Sequence, residues 1–347
     1  MLASDSAGPE GVPSQSERKP VRAAYYDRQG PADVVLRVAE LPTPQPGPGE
    51  VRVRVHMSGL NPTDLKARTG FSSPMPFPRI IPHQDGAGVI DAVGDADEVG
   101  RLGQRVWIYE AQQGRASGTA AAFVVVPSGH AVPLPDDVSF EVGASLGIPA
   151  LTAHRCLFAD GAIDGRRVLV QGGAGVVGTA AILLAKWAGA WVAATVMNPE
   201  QAIIARAAGA DLVLDRLNDD VAGAIQATTR NAGVDRIVDV NVKANLDLDL
   251  ACLASGGVIS AYATVGATDA LSLPLLRAMV HGCVLRFVYI YSVPQEAKDN
   301  AIRDINACLA SGAYSPHVGL KVGLEKIAEA HGALEAGSVM GKVLIAI

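Results

Sequence analysis

The chain has 347 residues, a formal net charge of −6, 49% hydrophobic residues, 18% charged residues and four cysteines. At ~100 to 200 residues per domain, this length favours two domains with sizeable cores and excludes disorder for most of the chain. Mild acidity without a block of Lys or Arg argues against a nucleic-acid groove, because phosphate contacts need clustered positive charge.

In chain order, residues 1–20 are polar and rich in Pro, Gly and Ser, without the apolar stretch of a secretory signal, and are expected to be a disordered arm. From Val21 to about Pro149 the pattern is short strands and turns. Val51-Arg52-Val53-Arg54-Val55 alternates as a strand with one wet face does, and residues 86–93 and 123–126 read as further strands. LPTPQPGPGE, which precedes Val51, is a loop, since Pro removes donors and Gly interrupts regular pairing. This half should be mainly β and barrel-like.

After about Gly147 the texture changes. Strands are expected over 167–171, 191–196, 212–214, 235–240 and 257–261, with helices over 176–188, 199–208, 218–229 and near 246–254. Such β/α alternation implies a parallel, doubly wound sheet, so the fold class is α/β with a nucleotide-binding domain. The long apolar run 176–196 holds Lys186 and reads as a buried helix and strand, with no membrane span expected. The last part gives a helix over 295–311, a strand after Ser315, a helix over 323–336 and a closing strand over 341–347. Cys156, Cys252, Cys283 and Cys308 are far apart with no C-x-x-C pair, as for buried thiols in a reducing compartment, and a cytoplasmic location is expected.

The strongest local signal is Gly172-Gly173-Ala174-Gly175-Val176-Val177-Gly178, directly after a predicted strand and opening a predicted helix. Gly173, Gly175 and Gly178 satisfy G-x-G-x-x-G, in which glycines provide a tight turn, close approach to a pyrophosphate and helix-to-strand packing. The end of the next strand, Ala193-Ala194-Thr195-Val196-Met197-Asn198, lacks the acidic residue that would grip the ribose of NAD. NADPH is therefore the expected cofactor, with Arg216, or Arg206, available to its 2′-phosphate. The expected cofactor-binding positions are Gly172, Gly173, Ala174, Gly175, Val176, Val177, Gly178, Asn198, Arg216, Asn241 and Lys342.

These residues, with Gly59-Leu60-Asn61-Pro62-Thr63-Asp64, Asp85-Gly86-Ala87-Gly88, Gly103-Gln104-Arg105-Val106, Ala144-Ser145-Leu146-Gly147-Ile148-Pro149 and Gly341-Lys342-Val343-Leu344, give a chain that resembles the medium-chain dehydrogenases and reductases. Within them it is similar to the quinone oxidoreductases related to zeta-crystallin, from about Val21 to Ile347. The resemblance implies a GroES-like, mainly β catalytic domain over 21–147 and 293–347, and a Rossmann cofactor domain over 148–292. It also implies a homodimer, through an edge strand near 285–291.

In the zinc-dependent alcohol dehydrogenases of that superfamily a Cys, a His and a Cys hold the catalytic zinc; the matching positions here are Asn61, Gln84 and Ile148. None supplies a thiolate or imidazole, and no metal is expected. His83, one residue before Gln84, reads as a hydrogen-bonded structural histidine, with a shifted metal site involving His56 as the alternative.

Without a Lewis acid the acceptor must already be electrophilic, as a quinone or activated enone is, and positioning does most of the work. Asn61 could donate to a carbonyl oxygen and Asp64 could orient its loop; the resemblance places both, with Thr152, at the cleft. Lys66 and Tyr289 are candidate pocket residues, and Lys66 with Arg68 could make the pocket cationic. The expected reaction is reduction of a quinone by NADPH. The alternatives are reduction of a carbon–carbon double bond in an enone or enoyl thioester, and a non-enzymatic NADPH- and RNA-binding role, which the acidic balance disfavours.

Overall fold

The computed structural model describes residues 20–347, so the arm expected at the N-terminus lies almost wholly outside the described residues. Strands β1 (Pro20–Tyr25) and β2 (Arg37–Pro42) pair antiparallel across a single helical turn, α1 (Ala32–Val35). There follow β3 (Glu50–Leu60), α2 (Pro62–Thr69), β4 (Asp85–Val93), β5 (Arg105–Ile108), β6 (Phe123–Pro127) and β7 (Ala131–Pro133). The valines at 51, 53 and 55 of β3 are buried and the arginines between them are not, which is the alternation of a strand with one face on a core.

The single turn α3 (Phe140–Gly143) leads into α4 (Gly147–Phe158) and then into a regular alternation. This comprises β8 (Arg167–Val170), α5 (Val176–Trp187), β9 (Trp191–Val196), α6 (Pro199–Ala207), β10 (Leu212–Asp215), α7 (Val221–Thr228), β11 (Val234–Asp239), α8 (Val242–Cys252), β12 (Leu253–Ala261), α9 (Leu275–His281) and β13 (Val284–Phe287). The chain ends with α10 (Gln295–Ala310), β14 (Val318–Gly323), α11 (Ile327–Glu335) and β15 (Lys342–Ala346).

Six parallel strands run in the order β10-β9-β8-β11-β12-β13, the order of a doubly wound dinucleotide fold, in which the order of addition reverses between β8 and β11. A second sheet runs β14-β15-β3-β4-β5-β7, with β6 also on β3. The last strand, β15, lies antiparallel to β3, so the C-terminal segment completes the sheet begun by the N-terminal one. Helix α10 packs on α4 and α5 beside the parallel sheet, yet Trp107 Nε1 donates to its Asn306 and Lys298 pairs with buried Glu110 at 2.6 Å. One apolar cluster runs from Ala87, Trp107 and Leu134 through α4 to Val168, Ile182 and Val238, so the two sheets share a core.

Three expectations need correction. The run 285–291 is not one strand: β13 ends at Phe287, and a 3-10 turn spans Ile290–Ser292, because pairing with β12 ends at Ala261. Helix α8 and strand β12 each start about four residues early, since β12 pairs with β11 from Leu253 and shifts register before Val258. Helix α7 starts at Val221 and not at Asn218: Asp215 takes residues 217–219 into a turn, and the Asp220 carboxylate caps the helix by accepting from Gly223 N.

Candidate active site

Asn61 ends the long strand β3, and Pro62 begins α2 at the position where a missing N–H costs nothing. Asp64 then accepts from the Asn61 backbone N–H at 2.7 Å, closing the helix start. The Asn61 amide is held at both ends. Its Nδ2 donates to Asp85 Oδ2 at 2.7 Å, and its Oδ1 accepts from Lys342 Nζ at 2.8 Å. Lys342 Nζ donates also to Asp85 Oδ2 at 2.9 Å, and Asp85 Oδ1 accepts from Ile148 N at 2.8 Å. Asp85 and Lys342 are both fully buried. Four segments, α2, β4, α4 and β15, therefore meet on one carboxylate.

Two glycines make room for this cradle. A Cβ on Gly147 would lie 2.0 Å from Asp85 Oδ1, and one on Gly59 would lie 2.9 Å from Lys342 Cε and 2.1 Å from Ala144 O. Asp85 itself carried no assigned role in the sequence. Its partners lie at positions 61, 148 and 342, far apart in sequence, so only the fold brings them together.

Asp64 is buried and its Oδ1 has no hydrogen-bond partner. Burial and the neighbouring Asp85 push its pKa up to about 8, so it holds a proton at neutral pH. Next to it Thr63 Oγ1 accepts from Tyr291 Oη at 3.2 Å, joining α2 to the turn after β13. Burial and Asp64 hold the Tyr291 phenol well above its usual range, so it is a neutral donor. Of the two tyrosines it is Tyr291 that turns inward; Tyr289 is 63% exposed and meets it edge-on at 5.2 Å.

Lys66, half-buried, donates to Thr264 O at 2.9 Å, a contact from α2 to the loop after β12. Arg68 does not join it in the pocket. It is fully buried on the opposite side, bonded to Gly30 O, His331 and Glu335, because its position on α2 faces α11. Thr152 is buried on α4.

The glycine loop follows β8 at the point where the strand order reverses. The tight turn belongs to Gly172, whose φ of 74° is left-handed, rather than to Gly173. Gly173 packs flat on β9, where a Cβ would lie 2.7 Å from that of Ala194, and Gly178 abuts Gly172, where a Cβ would lie 2.2 Å from its carbonyl oxygen. The N–H groups of Gly172 and Gly173 are spent on Thr195 Oγ1 and Thr195 O. That leaves Ala174 and the first-turn amides of Val176, Val177 and Gly178, which have no intrahelical acceptor, to face a pyrophosphate.

Around the far end of the loop, Arg216 N donates to Val196 O, so Arg216 lies beside the end of β9 where no acidic residue stands. Its guanidinium donates to Asn245 Oδ1 at 2.6 Å. Arg206 is exposed on α6. Asn198 caps α6 by accepting from Gln201 N, and Val240, before Asn241, lies over Gly172, whose added Cβ would meet it at 3.2 Å. Lys342, grouped above with the cofactor contacts, belongs with Asn61 in the cradle. These residues fit a dinucleotide laid across β8, β9 and β11.

They do not fit catalytic zinc. Asn61 is engaged by Asp85 and Lys342, Ile148 offers only its backbone, and the Lys342 ammonium occupies the cradle with its own positive charge. Among the described residues no group of three or more His, Cys, Asp or Glu could hold a metal ion. His83, in a left-handed conformation, is bonded through Nδ1 to Ser58 and through Nε2 to His331 at 2.9 Å, as a structural histidine. His56 stacks on Phe140 instead.

The chain matches the family models "Alcohol dehydrogenase GroES-like domain" over residues 47–136 and "Zinc-binding dehydrogenase" over residues 176–307. It is 29% identical over 330 residues to the quinone oxidoreductase of Rattus norvegicus, covering 94% of this chain and 98% of that protein. It is similar to the NADPH complex of mycobacterial Rv1454c, with a TM-score of 0.80, 28% identity and coverage of 94% and 100% of the two chains. It is similar also to an NAD-dependent alcohol dehydrogenase, with a TM-score of 0.83, 30% identity and coverage of 94% and 99%. With both sheets, the glycine loop and matches running nearly end to end, the chain belongs to the medium-chain dehydrogenase/reductase superfamily, as an oxidoreductase of its quinone oxidoreductase group.

Proposed function

We propose that the protein reduces a quinone with NADPH, without zinc. The observation that carries this reading is the buried Lys342 ammonium, 2.8 Å from Asn61 Oδ1, in a cradle that includes Asn61 and Ile148, two of the three positions that match zinc ligands in the metal-dependent relatives. A site with its own fixed cation and no thiolate suits an acceptor that is electrophilic before it binds. The preference for NADPH rests on Arg216 beside the acid-free end of β9, and on the similarity to an NADPH complex.

When bound, the nicotinamide supplies the hydride. The protein holds the acceptor: the Asn61 Nδ2 hydrogen not used by Asp85 is free to donate to its carbonyl oxygen, and the Asp85–Lys342 pair keeps that amide from rotating. Thr152, Lys66 and Tyr289 line the approach. The Tyr291–Thr63 hydroxyl pair and the protonated Asp64, at the same helix start as Asn61, supply protons to the reduced oxygen.

We also read residues 21–147 with 293–347 as one catalytic unit and 148–292 as the cofactor unit. A homodimer would cover the exposed Leu275, Leu276, Met279 and Val280 of α9 beside the edge strand β13. No described helix is long and apolar enough to cross a membrane, and the four cysteines are unpaired, which suits the reducing cytoplasm. Oxidation of NADPH with a benzoquinone, an enal and an enoyl thioester tests the function: turnover with the quinone is expected. Turnover confined to the enal or thioester would favour double-bond reduction.

A further inference from the structure

Two carboxyl groups that the proposed reaction does not use lie buried beneath the cofactor loop. Asp239 ends β11 and Asp249 stands on α8, and both are fully buried. Asp239 Oδ1 accepts from Asn241 N at 2.7 Å and from Asn245 Nδ2 at 2.8 Å. Asp249 Oδ1 accepts from Gln171 Nε2 at 2.8 Å. The second oxygen of each, Oδ2, has no partner. The two carboxyls face each other, and Asp239, with burial, raises the cost of ionising Asp249. Two buried anions side by side, each with an orphaned oxygen, are costly; one proton between them satisfies both.

The pair sits where two hydrogen-bond chains meet. From Asp249 the chain runs through Gln171, whose Oε1 accepts from Thr195 Oγ1 at 2.7 Å, to Gly172 N of the glycine loop. From Asp239 it runs through Asn245 to the Arg216 guanidinium. Each amide turns its NH2 toward a carboxyl and its oxygen toward a donor, so both chains have one polarity.

We propose that Asp239 and Asp249 share a single buried proton, and that this pair is a positioning element holding the glycine loop and Arg216 in register for the phosphorylated adenylate half of the cofactor. The inference rests on the NADPH reading above. The groups facing the pair are Arg216 after β10, Cys252 on α8, Cys283 before β13 and Tyr262 after β12. Burial pushes the Cys252 thiol up to about 12 and raises the Cys283 thiol and the Tyr262 phenol, so these three face the pair as neutral groups. Loss of the shared proton adds a second negative charge behind Arg216 and opposes the 2′-phosphate.

Infrared spectroscopy and nicotinamide-fluorescence titration test this together. The wild-type protein should show the carbonyl stretch of a protonated, buried carboxylic acid that is lost in Asp249→Asn. Its NADPH affinity should fall about tenfold from neutral to alkaline pH as the charge-linked network loosens. Asp249→Asn, whose amide donates to Asp239 permanently and still accepts from Gln171, should bind NADPH with no alkaline fall. Asp249→Ala should bind about tenfold more weakly already at neutral pH. Carboxylic-acid bands unchanged between wild type and Asp249→Asn, an alkaline fall that persists in Asp249→Asn, or a folded Asp249→Ala that binds as tightly as wild type overturns the proposal. Equal wild-type affinity for NADH and NADPH would sink the cofactor reading alone, because the band and the pH profile of NADH binding would still report on the pair.

Discussion

Asp85 and Lys342 meet at 2.9 Å with neither side chain exposed, and Asn61 is bonded to both. A buried ion pair is a poor source of net stability, but removing one partner strands the other charge in an apolar interior. Lys342→Met is therefore expected to destabilise the protein by ~3 to 5 kcal/mol in urea unfolding. The double variant Asp85→Asn with Lys342→Met should recover much of that loss without recovering activity, since the Asn61 amide is no longer held. A fully active double variant would remove the pair from the account of catalysis.

Arg216→Ala should weaken NADPH binding by about 10- to 100-fold, the worth of a charge-assisted contact, and leave NADH binding unchanged. Parallel fluorescence titrations with both nucleotides decide it. Equal losses for the two would mean that Arg216 holds the site's structure through Asn245 and does not read the phosphate.

Asp64 is buried as an acid, so the fold favours its protonated form. The cost of its anion is absent below the ordinary carboxyl value of 3.8 and complete above about 8. Stability should thus fall across that window as pH rises, relative to Asp64→Asn, whose side-chain oxygen still accepts from Asn61 N. Urea midpoints of the two proteins measured from acid to alkaline pH should diverge in favour of the variant. A constant difference would show that Asp64 does not titrate there.

The His83–His331 pair has the opposite sign. Burial, with Arg68 and Lys342 nearby, drives both imidazoles below the ordinary value of 6.5, His331 to about 3, so both are folded neutral. The unfolded chain takes up protons as pH falls below that value, and stability present above it is lost progressively. Replacing His331 by Gln should make the pH dependence of unfolding shallower between pH 6.5 and about 3. An unchanged slope would contradict the neutral pair.

Much of the architecture was legible in the sequence because it is local. The strand at 191–196, the helix opening at Val176 and the loop between Gly172 and Gly178 each follow from periodicity and glycine spacing over a dozen residues. The cradle was only half legible. Asn61, Asp64 and Lys342 stood in recognisable motifs, whereas Asp85 had no visible task until β4, α4 and β15 converged on it. Arg68 looked like a pocket residue because it follows Lys66 by two, yet two positions on a helix point to different faces. Tyr291 turns inward while Tyr289 stays exposed for a reason no alternation pattern contains: the strand ends at Phe287 and the chain turns.

Metal analysis joined to turnover on one preparation tests whether hydride transfer proceeds without a metal. Protein treated with a strong chelator and shown to lack stoichiometric zinc should oxidise NADPH with a benzoquinone at the rate of untreated protein. Stoichiometric zinc in the untreated protein, with activity lost on chelation and restored by zinc alone, would contradict the account.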